Sequence, residues 1–204
     1  MRLVDELEFA VGWIAPEPRF MQRASHAIAA GGGVWLVDPV AEPGVPERVR
    51  ALGEPLGVVQ LLDRHGRDCA RVAAELGVPH HEVPDAAPAG APFEVMPVLA
   101  RKRWHEVALW FPAEETLVCA DAVGTAPYYR ARSERLGVSP LLRLTPPRSL
   151  LRVAPLHVLV GHGAGVHEDA AAALRDAVTG ARRRLAPWLL AAARSGWSRY
   201  ASSS

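Results

Sequence analysis

The heptapeptide DRHGRDC, residues 63–69, brings two carboxylates, an imidazole and a thiol into seven positions. Carboxylate oxygen, imidazole nitrogen and thiolate sulfur are donors that zinc accepts, and together they suit a tetrahedral site. Asp63, His65, Asp68 and Cys69 carry these donors. Arg64 and Arg67 cannot join them, because guanidinium stays protonated and has no lone pair to give. Three further residues of similar chemistry end apolar runs: Asp38 after VWLV, Asp121 after TLVCA, and His162 between two glycines after HVLV. His105, beside Trp104, reads as a rim residue. A nucleophilic reading also exists. A thiol at a helix N-terminus has a lowered pKa, and His65 lies four residues before Cys69 as a base, although the adjacent Asp68 opposes the shift. The same residues have structural readings. Asp68 suits a helix N-cap, Cys69 a small buried position, and His162 a hydrogen bond within its own loop.

Positioning such groups needs strands that end together, and the sequence supplies them. EFAVGWI, residues 8–14, reads as an opening strand. SHAIAAGGGVWLVD reads as a hairpin turning at Gly31-Gly32-Gly33. A short helix closed by Gly53 leads to the apolar strand LGVVQLL. After DRHGRDC, a helix over 69–76 presents Val72, Ala73 and Leu76 on one face, with Gly77 as its C-cap. FEVMPVLA, HEVALWFP and TLVCAD read as three strands, LHVLVGHG as a fourth, and RSLLRVAP as a helical turn. YYRARSERLG predicts a helix within 126–137. The spacing of Ala171, Leu174, Val178, Ala181 and Leu185 predicts another over 167–185, broken by Pro187. A C-terminal segment from about 186 to 204 follows. One domain over 1–204, built from two similar halves, fits this order.

The order resembles the metallo-β-lactamase fold, an α/β (α+β) four-layer αββα sandwich, over about residues 10–180. The opening hairpin ending in Asp38, the strand–loop–helix VVQLLDRHGRDCARVAAELGVP, the strand pair ending in Asp121 and the late strand ending at His162 each match a landmark. The family's loop reads His-x-His-x-Asp-His and holds two metals. Aligned without gaps, its spaced histidines fall on Arg64 and Gly66, and its Asp-His pair on Asp68 and Cys69. The third histidine of the first metal falls near Arg101, with His105 displaced from it. The resemblance thus implies that the first metal site cannot be built. It leaves Asp68, Cys69, Asp121 and His162 as a set for a single zinc. Sliding the loop by one residue aligns Asp63 and His65 with the spaced histidines but places Arg67 at the aspartate and spoils the strand end, so the gap-free register is preferred. His65 then falls between ligand positions, and Asp38, Asp63, Arg64, His65 and His105 surround the pocket.

Composition bounds the function. With 23 basic and 22 acidic residues the net charge is +1, which offers no case for a nucleic-acid or anionic-membrane partner. Two cysteines make no disulfide framework and suit a reducing cytoplasm. The N-terminus lacks the apolar core of a signal peptide, and no run approaches the roughly 20 apolar residues that span a bilayer. Neither GGG nor GHGAG has the context of a nucleotide fingerprint. The leading expectation is a fold-conserving, altered protein without metal, in which Arg64 pairs with Asp121 and a small molecule binds. The alternative is a mononuclear zinc hydrolase of an ester, thioester or lactone. A third reading is a homodimer packed through Trp188 and Trp197.

Overall fold

Strand alternation sorts the first half of the chain into two apolar surfaces. In β3 (Ala24–Ala30) and β4 (Gly33–Val37), Ala27, Val34 and Leu36 point to one side, and Ile28, Ala30, Trp35 and Val37 to the other. The computed structural model describes residues 1–16, 21–131 and 133–195. In it, β1 (Arg2–Leu7), β2 (Ala10–Ile14), β3, β4, β5 (Pro55–Gln60) and β6 (His80–Glu82) form one sheet in that order. The first three pairings are antiparallel and the last two parallel. A second sheet runs β12 (His157–Val160), β9 (Thr116–Cys119), β8 (Trp104–Phe111), β7 (Glu94–Arg101), with β12 parallel to β9. The short pair β10 (Val123–Gly124) and β11 (Gly137–Val138) lies between β9 and β12 in the chain.

Helices cover the outer faces. α1 (Val45–Leu52) and α2 (Cys69–Leu76) bury Val45, Val49, Cys69, Val72 and Ala73 against the first sheet. α3 (Ala170–Gly180) buries Leu174, Ala177 and Val178 in the same core as β9 and β12. The inner faces of the two sheets meet in the main core, so the layers are helix, sheet, sheet, helix. Gly77 caps α2 in the left-handed region, as its position predicts. Among the described residues no helix is long and apolar enough to cross a membrane.

Three elements differ from the sequence reading. The expected opening strand, 8–14, is β2, and a further strand, β1, precedes it. β1 was hidden by its charges, yet it buries Val4 and Asp5. The helix expected within 126–137 does not form among the described residues there. Arg143, fully buried, takes the Tyr129 carbonyl oxygen at 2.6 Å and the Glu134 carboxylate at 2.6 Å. Glu134 Oε2 in turn accepts the Ala131 N–H at 2.6 Å, so backbone groups that a helix would pair are already used. The last long helix, expected over 167–185, ends at Gly180, and a separate helix, α4 (Leu185–Ser195), follows it. Pro187 lies in the first turn of α4, where a missing N–H costs little. Trp188 donates Nε1–H to the Tyr128 carbonyl oxygen at 2.7 Å, while Trp197 lies outside the described residues.

Candidate metal centre

The parallel strands β4, β5, β9 and β12 end on one side of the sandwich, and the loops that follow them carry Asp38, His65, Asp121 and His162. The carboxyl ends of strands are where open α/β sheets place ligand sites. His65 Nε2 and His162 Nε2 each lie 2.9 Å from Asp121 Oδ1. These are the three residues, among those described, whose donor atoms gather within 4.8 Å of one another.

The far nitrogen of each ring is already committed. His65 Nδ1 lies 2.8 Å from Asp38 Oδ2, and His162 Nδ1 lies 2.8 Å from the Met21 carbonyl oxygen. Burial pushes Asp38 up, but the His65 and Arg67 charges and the His65 bond outweigh it, so Asp38 stays ionised and accepts. A carbonyl also only accepts. Both Nδ1 atoms therefore carry a proton, and both rings turn Nε2 toward Asp121. Asp121 Oδ1, though 2.9 Å from both, has no aligned hydrogen bond from either; alignment, not distance alone, decides whether an N–H satisfies an oxygen. Two imidazole nitrogens and a carboxylate oxygen thus face one another in a buried place.

The charges respond to that crowding. Burial and Arg67 push His65 down, and Asp38 and Asp121 overcome them, so its pKa is raised. Burial pushes Asp121 up, and the two imidazoles hold it well below the usual carboxylate range. A cation is the common remedy for both. Zinc bound at about 2.0–2.1 Å spaces tetrahedral donors about 3.3 Å apart, so this cluster needs only a small opening to accept one. Two imidazoles and one carboxylate form a known donor set for zinc or ferrous iron, with positions left for water. Asp38 and the Met21 carbonyl oxygen are the outer partners that such ligands require. The residues fit a single cation.

The loop distributes its other side chains differently. Arg64, half-exposed, sits with Nη2 3.5 Å from Asp121 Oδ2 and its guanidinium 4.5 Å from the Trp104 ring. Asp63 lies at the surface, 4.0 Å from Arg64 Nε. Arg67 turns inward and donates to the carbonyl oxygens of Ala24, Asp38 and Gly161, tying together the ends of β3, β4 and β12. Asp68 accepts the Ala41 N–H at 2.9 Å and pairs with Arg71 at 2.8 Å; it makes no side-chain cap to α2. Cys69 is fully buried with Sγ toward the His65 carbonyl oxygen. Burial and the Asp38 carboxylate push its thiol up to about 12, the opposite of an activated nucleophile. The structure therefore joins Asp121 and His162 but brings His65, not Asp68 or Cys69, to them. The gap-free register, which sets His65 between ligand positions, does not match this placement; Arg67 has φ +39°, and the Asp68 carboxylate is held by the Ala41 N–H. His105 pairs with Ala100 and lies on the opposite face of β8 from Trp104 and Glu106.

Two residues near the centre escaped the sequence reading. Glu106, fully buried, accepts from Trp104 Nε1 at 2.7 Å and from the Ala122 N–H at 2.8 Å, next to Asp121. Burial and the Asp121 carboxylate push it up to about 8. Its signal was a charge inside the apolar strand HEVALWF. Tyr129 stacks on His162, with centroids 5.5 Å apart and planes at 25°. Glycines make room for it. A Cβ at Gly124 would lie 2.7 Å from its ring, and one at Gly137 2.2 Å from its carbonyl oxygen.

Known proteins place the fold. No family model matches the chain, and no curated protein matches it. Solved structures do. It is similar to the metallo-β-lactamase from Pontibacter korlensis at 11% identity, covering 87% of this chain and 98% of that one, with a TM-score of 0.58. The TMB-1 structure matches at 11% identity over 89% and 99%, TM-score 0.58. A chemotaxis sensor named ODP, solved as a peroxy diiron species, matches at 13% over 89% and 94%, TM-score 0.55. The fold is that of the metallo-β-lactamases.

Proposed function

We propose that this chain is a mononuclear metal-dependent hydrolase, holding one divalent cation through His65 Nε2, His162 Nε2 and the Asp121 carboxylate. The observation that carries the reading is the buried Asp121 Oδ1, 2.9 Å from two imidazole nitrogens whose partner nitrogens are already bonded. Bound there, zinc would lower the pKa of a water and polarise a carbonyl. The chain's own residues do the rest. Asp38 and the Met21 carbonyl oxygen keep both rings in the Nδ1–H tautomer. Tyr129 covers one face of His162 and keeps water from it. Glu106, held neutral below about pH 8, anchors the turn after Asp121 without adding a charge. Arg64 stands at the open rim as a fixed cation for a substrate oxygen that gains negative charge. An ester, thioester or lactone suits this arrangement.

One observation favours a second reading. Arg64 is within 3.5 Å of Asp121 Oδ2, so guanidinium and a protonated His65 could balance the carboxylates without metal. Metal analysis of protein purified without added metal, then soaked in zinc or ferrous iron, separates the two. The hydrolase reading expects about one equivalent, lost in Asp121→Ala and His65→Ala and kept in Cys69→Ala. Protein that retains no metal after either soak would sink it and leave the metal-free pocket.

A further inference from the structure

A cleft of about 540 Å³ opens behind the loop that carries His162, walled by residues 164–168, Thr125 and three arginines, Arg2, Arg130 and Arg135. The arginines come from separate places: Arg2 starts β1, while Arg130 and Arg135 lie between β10 and β11. Among the described residues, Arg2 and Arg130 make no ion pair or side-chain hydrogen bond. Arg135 donates to the Glu168 carbonyl oxygen and lies 3.9 Å from the Asp169 carboxylate, in the open. The lining holds one carboxylate, that of Glu168, so its balance is positive in a chain whose net charge is only +1. His167, also in the wall, is engaged elsewhere, 2.9 Å from Asp5 and 3.1 Å from His157.

We infer that this cleft binds a small molecule bearing a phosphate group. Its volume lies within the range of small-molecule sites. Guanidinium is the group that recognises phosphate oxygens in a planar fork, and it stays charged at any working pH. Three guanidiniums remain in excess even when Glu168 in the wall and Asp169 beside Arg135 are both counted against them. A nucleic acid is a poorer fit, because it needs an extended basic surface that a near-neutral chain does not supply. The cleft uses none of the three metal-binding residues, yet it shares their loop: Thr125 and Ala126 donate to the His162 carbonyl oxygen at 3.0 Å, and the Gly163 N–H donates to the Gln22 carbonyl oxygen at 2.8 Å.

The test is calorimetry and amide NMR of the full chain with inorganic phosphate, acetate and chloride at matched ionic strength. Phosphate is expected to bind saturably to one site and to move the amides of Thr125, Gly165 and Glu168, with acetate and chloride much weaker. Arg2→Gln/Arg130→Gln is expected to weaken phosphate about tenfold or more, the worth of a lost charge-assisted bond. Both side chains are exposed, so this variant should melt with the parent. Asp121→Asn should leave phosphate binding unchanged. Equal binding of acetate, indifference to the arginine pair, or loss in Asp121→Asn would each overturn the assignment. The last would place phosphate at the metal centre instead, and none of these results bears on whether a cation binds there.

Discussion

Tyr129 lies against His162 as a flat wall, and its hydroxyl stays protonated because burial and the Asp121 and Glu106 carboxylates push it well above its usual range. The ring and the hydroxyl can be tested apart. Tyr129→Phe keeps the stack and is expected to hold zinc nearly as the parent does. Tyr129→Ala opens a cavity beside His162. Its folding stability is expected to fall by about 3–5 kcal/mol, and its metal affinity with it. Urea unfolding and zinc competition with a chelator read the two effects. Equal zinc affinity in parent and alanine variant would show that the stack does not orient the ligand. Asp38 is the matching residue on the other ring, because it sets which His65 nitrogen faces Asp121.

Between β10 and β11, an ion pair decides the path of the chain. Arg143 and Glu134 have side chains with no solvent exposure, 2.6 Å apart, and Arg143 also grips the Tyr129 carbonyl oxygen. This pair replaces the helix expected within 126–137 and delivers Tyr129 to His162. Removing Arg143 leaves the buried Glu134 carboxylate with only the more distant Arg184, 3.6 Å from Oε1. Arg143→Met is expected to cost about 3–5 kcal/mol in a denaturant melt, and Arg143→Met/Glu134→Leu to recover part of it. A double variant no better than the single would mean that the bond to Tyr129, not the charge balance, carries the stability. The helical reading of YYRARSERLG lost here to a partner outside the local window.

Across the molecule, titratable groups pull stability in two directions as pH changes. Asp38 and Asp121 have folded pKa values below 3.8, so their stabilisation is present above about 4 and is lost as pH falls through the folded values. Glu106 is raised from 4.5 to about 8, so the folded state binds its proton more tightly and stability falls as pH rises between them. His65, raised above 6.5, adds to the same loss above neutrality. Chelator-treated protein is therefore expected to be most stable near about pH 5. On the proposed reading zinc would reverse the alkaline limb, because its ligands must be deprotonated to bind, so the stabilisation it adds is expected to grow with pH. Thermal melts across pH, with and without zinc, check both limbs. A zinc effect that is constant from pH 5 to 8 would argue against imidazole ligation.

The order of strands, the layers and the ends of strands that bear Asp38, Asp121 and His162 were legible in the chain, because period-two alternation and glycine or proline stops are local signals. Which residue of DRHGRDC joins Asp121 and His162 was not. Which side chain turns inward depends on contacts far along the sequence: His65 to Asp38 across 27 residues, His162 to Met21 across 141, and Arg67 to Gly161 across 94. Residue types alone determined that a donor-rich loop would face Asp121 and His162. Only the packed sheets decided that His65 reaches them while Asp68 and Cys69 turn away, because that choice is made by hydrogen bonds between segments that the sequence keeps apart.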